Sequence, residues 1–120
     1  MAPCPDSPNC VSSQAEEASK KLPPLRFQGE PAVALAALKK LVTGLPRTQL
    51  LSEEPHYLHF AFTTWPIPFV DDVEFLLEPA AGLIHFRSAS RIGYSDLGVN
   101  WRRMQKISRY WAALASAANQ

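Results

Sequence analysis

A two-layer α+β sandwich, an antiparallel sheet with two helices on one face, is the fold class predicted by three features of this sequence. Apolar alternation with period two runs through the middle of the chain, and an amphipathic helical stripe lies on either side of it. The 120 residues are 47% apolar and 19% charged, the balance of one compact domain and not of a disordered tail or a fibre. A chain of this size buries roughly two thirds of its unfolded surface, so its core needs no metal or cofactor, and none is expected.

The first 24 residues contain five of the eleven prolines and no aromatic residue. They read as an extended arm without core residues, residues 1–24, ahead of one α+β domain, residues 25–120. A short strand from Leu25 to Gln28 opens that domain. Pro31 suits a first helical position, where a fixed φ and a missing N–H cost nothing. Leu35, Leu38, Leu41, Val42 and Leu45 follow at helical spacing, Lys39 and Lys40 fall off the stripe, and Gly44 with Pro46 stops the helix.

Four strands are predicted next: Thr48 to Glu53, Tyr57 to Thr64, Phe69 to Glu78 and Leu83 to Arg91. Leu58, Phe60 and Phe62 alternate with Tyr57, His59, Ala61 and Thr63, the pattern of a half-buried strand. Trp65-Pro66-Ile67-Pro68 interrupts the ladder because proline donates no hydrogen bond there. Pro79 to Gly82 reads as a four-residue hairpin loop, with proline where φ is near −65° and glycine where φ turns positive. Pairing Glu78 with Leu83 places Val73, Phe75 and Leu77 beside Ser88, Phe86 and Ile84 on one face. Asp72, Glu74 and Leu76 then meet Ala89, Arg87 and His85 on the other. A slip of one residue would mix the two sets, so burial enforces the register.

A second helix is predicted from Leu97 to Ala117, capped by Ser95 or Asp96. Leu97, Trp101, Met104, Ile107 or Ser108, Trp111 and Leu114 form its stripe, with Arg102, Arg103, Lys106 and Arg109 largely off it. About twenty residues make a rod of roughly 30 Å, enough to cross a small sheet. The predicted order is β-α-β-β-β-β-α, with the far sheet face open.

The net charge of +1 conceals segregation. Residues 1–47 carry six basic and four acidic side chains, residues 48–82 carry none and six, and residues 83–120 carry six and one. Opposite blocks adjacent in sequence read most simply as elements that pack together. So small a net charge does not drive binding to nucleic acid, and the sheet shows no exposed aromatic ladder of the kind that stacks RNA bases. No window reaches about 18 consecutive apolar residues, and no cationic segment precedes an apolar one at Met1. The expectation is a soluble chain without a transmembrane helix or signal peptide. There is no glycine-rich phosphate loop, nucleophile elbow, metal-binding helix motif or internal repeat.

Several groups could still carry chemistry. Cys4 and Cys10 are open to three readings: a small disulfide loop, free thiols, or two legs of a metal site that lacks its other ligands. Asp72 and Glu74 share the open face with His59, His85 and Arg87, which admits an acid-base site or a metal triad of Glu74, His59 and His85. The simpler alternative is a cross-strand Glu74–Arg87 ion pair. The run from Arg87 to Asn100 combines two guanidinium groups, several hydroxyls and a helix start. It suits either a structural polar network or an anion site.

Two stretches together resemble a known family. Cys4 to Ser13, CPDSPNCVSS, and Phe69 to Asn100, FVDDVEFLLEPAAGLIHFRSASRIGYSDLGVN, are similar to the bacterial and plastid domain of unknown function DUF1499. The chain departs from many relatives at Trp101, at Met104 and in the Trp65-Pro66-Ile67-Pro68 insert. The resemblance implies no assigned activity. It implies that many relatives sit behind a signal peptide, lipoprotein signal or membrane anchor, hence a periplasmic or membrane-associated setting, with the cytoplasm as the other option. An oxidising compartment, and with it a Cys4–Cys10 disulfide, follows from the resemblance alone.

The resulting expectation is a non-enzymatic, envelope-associated module that binds a small anionic ligand or a membrane-associated protein beside Arg91, Tyr94 and Asn100. Its rival is an enzyme with an acid-base site at Asp72, Glu74, His85 and Arg87. No metal site is expected.

Overall fold

The computed structural model describes residues 1–93 and 95–118. It has six strands and two α-helices: β1 (Cys10–Ser12), β2 (Leu25–Arg26), α1 (Pro31–Thr43), β3 (Thr48–Glu54), β4 (Tyr57–Thr63), β5 (Val70–Glu78), β6 (Leu83–Ser90) and α2 (Val99–Ala118). The strands form one antiparallel sheet in the order β1-β6-β5-β4-β3, and β2 shares the outer edge of β6 with β1. This is the predicted α+β class, with one strand more than predicted.

The central hairpin keeps the predicted register throughout, from Asp71 opposite Ser90 to Glu78 opposite Leu83. Its turn is a single 3₁₀ turn, Pro79–Ala81, closed by Gly82 at φ 65°. A Cβ on Gly82 would lie 3.0 Å from the Phe27 carbonyl oxygen, so glycine is needed there for space as well as for backbone angle. Phe75 faces Phe86, and Phe60 meets Phe75 edge-on at 6.1 Å between ring centres. Leu35, Leu38 and Val42 of α1 and Met104, Ile107 and Trp111 of α2 close over these rings in one core.

The amino-terminal segment does not lack core residues. Val11 of β1 is buried among them, and β1 pairs with residues 87–89 of β6. Lys20 is buried too, its ammonium donating to the Pro5 carbonyl at 2.6 Å. Cys4 and Cys10 are joined as a disulfide immediately before β1.

α2 starts two residues later than predicted. Leu97 takes φ 55° in the preceding loop and is 83% exposed, so it leaves the apolar stripe. Leu114 is exposed as well. Arg103 departs in the other direction: it turns inward to Asp71 at 2.7 Å instead of joining a solvated basic face, because a buried carboxylate awaits it on β5. The charge blocks do pair, with Arg87, Arg91 and Arg103 reaching Glu74, Asp72 and Asp71 respectively. Among the described residues no helix is long and apolar enough to cross a membrane.

Candidate functional site

Three places hold the polar chemistry, and strand alternation separates them. Asp72, Glu74, His85 and Arg87 lie half-buried on the sheet face away from the helices, as parity requires. Each has a partner. Glu74 accepts the Tyr57 hydroxyl at 2.5 Å and lies 3.7 Å from Arg87. His85 meets Glu78 at 2.7 Å, and Asp72 is held by His59 at 2.8 Å and by Arg91 at 2.9 and 3.0 Å. The two histidines thus bind different carboxylates, and among the described residues no cluster of three His, Cys, Asp or Glu could hold a metal ion.

The electrostatics of this face suit structure better than proton transfer. The Arg91 hydrogen bonds hold the Asp72 carboxyl below its usual range, with His59 adding to the effect and partial burial opposing it. A carboxylate so stabilised is a poor base near neutrality. Burial, with the hydrogen bond to Glu74, pushes the Tyr57 phenol above its ordinary value, so it stays a donor. Because the folded Asp72 value is depressed, its stabilisation is complete above the unfolded value and is lost as pH falls through the folded one. Asp72→Asn should therefore melt below wild type at pH 5, and the gap should close only below about pH 4. Thermal melts across this range check it, and a gap that closed above pH 5 would contradict the pairing.

The second place is the buried junction between the amino terminus, β6 and the start of α2. Asn100 is 1% exposed and fully engaged. Its carbonyl accepts Ser88 Oγ at 2.6 Å and Arg103 at 2.8 Å. Its amide donates to the Asn9 carbonyl, Ser90 Oγ and Asp96 Oδ2. Asn9 adds a hydrogen bond, its side-chain N–H donating to the Gly93 carbonyl at 2.7 Å. Asn100 therefore has no group left to offer a ligand. Arg91 is on the opposite sheet face with Asp72, so the structure does not bring Arg91 and Asn100 together. Tyr94 lies outside the described residues. The polar run from Arg87 to Asn100 is largely consumed in joining β1, β6 and α2. Spacing could not reveal this, since Asn9 and Asn100 are neighbours only after β1 has paired with β6.

The third place was not anticipated as a site. Residues 64–69, between β4 and β5, and residues 90–93 and 95–99, from the end of β6 to the start of α2, enclose a cleft of about 320 Å³. Trp65, Ile67, Phe69, Ile92 and Leu97 line it, and all five are exposed, Trp65 to 76%. The two loops hold five of the nine exposed large apolar side chains among the described residues, so the patch is concentrated, not scattered. Internal bonds shape the first loop: Thr64 Oγ1 donates to the Ile67 carbonyl and accepts the Phe69 N–H at 2.9 Å.

Two exposed guanidinium groups bond next to the cleft: Arg47 donates to the Thr63 carbonyl at 3.2 Å and Arg102 to the Leu97 carbonyl at 2.8 Å. The nearby carboxylates point inward: Asp96 accepts the N–H groups of Gly98 and Asn100, both at 2.9 Å, and Asp71 faces Arg103.

Comparison with curated proteins and with solved structures returned no match. The two stretches that carry the resemblance meet at the Asn9–Asn100 junction, and a family model described as "Protein of unknown function (DUF1499)" matches residues 1–110. The chain belongs to the DUF1499 family of proteins of unknown function.

Proposed function

We propose that this chain is a non-enzymatic interaction module that docks on an anionic membrane surface through the loop end of its sheet. The observation that carries the reading is the joint exposure of Trp65, Ile67, Phe69, Ile92 and Leu97 around one cleft, with the exposed Arg47 and Arg102 bonded to backbone carbonyls next to it. Exposed apolar side chains at loop tips bury themselves at the headgroup boundary, while flanking guanidiniums meet acidic lipids at about 1 kcal/mol each. Tryptophan suits that boundary because its ring is apolar and its N–H polar. The envelope setting implied by the family agrees with this surface. The acid-base alternative at Asp72, Glu74, His85 and Arg87 has less support, since each of those groups already has a protein partner.

Co-sedimentation with phosphatidylcholine vesicles, with and without phosphatidylglycerol, tests the reading. Binding should require the anionic lipid, weaken with salt and shift Trp65 emission to the blue. Trp65→Ser and Leu97→Ser should each weaken it about tenfold, corresponding to the loss of one buried apolar side chain, while leaving the melting temperature nearly unchanged. A chain that stayed in the supernatant with anionic vesicles at low salt would end the membrane reading and turn attention to a protein partner.

A further inference from the structure

The cleft at the docking end has a polar floor. Asp71 and Asp96 both contribute to its wall, and among the described residues no Lys, Arg or His does. Asp96 is spent on the start of α2. Its Oδ1 takes the Gly98 N–H, and its Oδ2 takes both the backbone and side-chain N–H of Asn100. Asp71 is only half spent. Its Oδ2 accepts Arg103 at 2.7 Å, whereas among the described residues its Oδ1 has no hydrogen-bond partner although Asp71 is 1% exposed. A carboxylate oxygen buried without a donor carries an uncompensated desolvation cost, which a donor entering the cleft would remove.

We infer that the cleft accepts the primary ammonium headgroup of a membrane lipid, with an N–H donating to Asp71 Oδ1 and the methylenes that join the ammonium to the lipid phosphate resting among Trp65, Ile67, Phe69, Ile92 and Leu97. This rests on the docking reading above and names the lipid class which that surface selects. Charge favours the ammonium: Asp71, Asp96 and Arg103 together leave one negative charge at the floor, which an anionic group would increase and a neutral hydroxyl would leave in place. The anionic ligand expected from sequence depended on Arg91, which Asp72 holds on the other sheet face. Ethanolamine and choline headgroups separate hydrogen bonding from charge, because both carry a positively charged nitrogen beside the same phosphate and only ethanolamine has N–H donors.

The test compares vesicles of phosphatidylethanolamine with phosphatidylglycerol against vesicles of phosphatidylcholine with the same fraction of phosphatidylglycerol. Binding to the ethanolamine vesicles should be about tenfold tighter, the scale of one hydrogen bond to a charged acceptor. Asp71→Asn should erase that preference and keep the binding to choline vesicles. Because this change also weakens the Arg103 pair, a second measurement uses the wild-type chain. The carbon resonance of the Asp71 carboxyl should shift saturably with phenethylamine, a soluble probe of the same chemistry, and stay still with phenethyl alcohol and with 3-phenylpropionate.

Equal binding to the two vesicle types, with an Asp71 signal that phenethylamine does not move, overturns the ammonium assignment and leaves docking intact. An equal shift with the alcohol overturns it as well. A saturable shift with the amine alone, but no binding to any vesicle, overturns docking and keeps an ammonium site for a soluble amine.

Discussion

Phe86→Ala should cost about 3 to 5 kcal/mol in chemical denaturation, the range for removing a fully buried aromatic side chain. Phe86 is fully buried, faces Phe75 across the central hairpin, and sits in the core cluster beneath both helices. No polar group waits to fill the space, so the change leaves a cavity on which the sheet and helices only partly collapse. Glu74→Ala, one residue from Phe75 on the same strand, is the internal control. Its side chain is on the other face and half-buried, bonded to Tyr57 and near Arg87, so its loss should cost about 1 to 2 kcal/mol, well short of the Phe86 loss. The contrast reads the alternation of β5 directly. Equal losses at the two positions would mean that β5 does not present its faces in this way.

The hairpin was legible because local chemistry and burial agreed on it. Pro79 and Gly82 pin the turn, and only one parity sends Val73, Phe75 and Leu77 to the same side as Ile84 and Phe86. α1 was legible for the same reason, with Pro31 at its start and a leucine stripe along one face. β1 was not, because three residues with one inward apolar side chain have no period to read. Val11 becomes a core residue only through its partner Ser88 on β6. Leu97 was misplaced because helical spacing extends smoothly back through it, whereas the chain there turns to positive φ and points the side chain outward.

The site divided along similar lines. The composition of the open face followed from parity, and so did the Glu74–Arg87 pair. The polar run was read as having capacity to spare for a ligand, yet most of that capacity satisfies groups that sequence distance hides: Asn9, some 90 residues before Asn100, and Asp71 on the neighbouring strand. The cleft is not legible in the sequence because its walls come from two loops, and because Trp65-Pro66-Ile67-Pro68 reads only as a break in a strand. The available signal was the apolar content of that break. Ile67 stands between Pro66 and Pro68, and Trp65 directly precedes Pro66, so neither joins the ladder or has a place in the sheet core.

Arg103→Ala should destabilise the chain by about 3 to 5 kcal/mol, as expected when one partner of a buried ion pair is removed and its counter-charge is left behind. Arg103 donates to Asp71 at 2.7 Å, to Asn100 at 2.8 Å and to Ser88 Oγ at 3.3 Å, and its guanidinium lies 4.8 Å from the centre of the Phe62 ring. Without it, Asp71 would keep a charge with no donor on either oxygen among the described residues. The double change Asp71→Val with Arg103→Leu separates that penalty from the intrinsic worth of the pair. Replacing both charges by apolar groups is close to neutral in many buried pairs, so the double variant should recover at least about 1 kcal/mol relative to Arg103→Ala. Urea titration of wild type, Asp71→Val, Arg103→Ala, Arg103→Leu and the double variant supplies the cycle. If the Asp71→Val and Arg103→Leu losses simply added in the double variant, the two residues would be uncoupled, and Asp71 would have to owe its burial to β5 alone. If they couple as expected, Arg103 sets the charge at the floor of the cleft. In that case Arg103→Ala vesicle binding should show a stronger preference for ethanolamine over choline headgroups than wild type, because the remaining carboxylate has only the ligand to answer it.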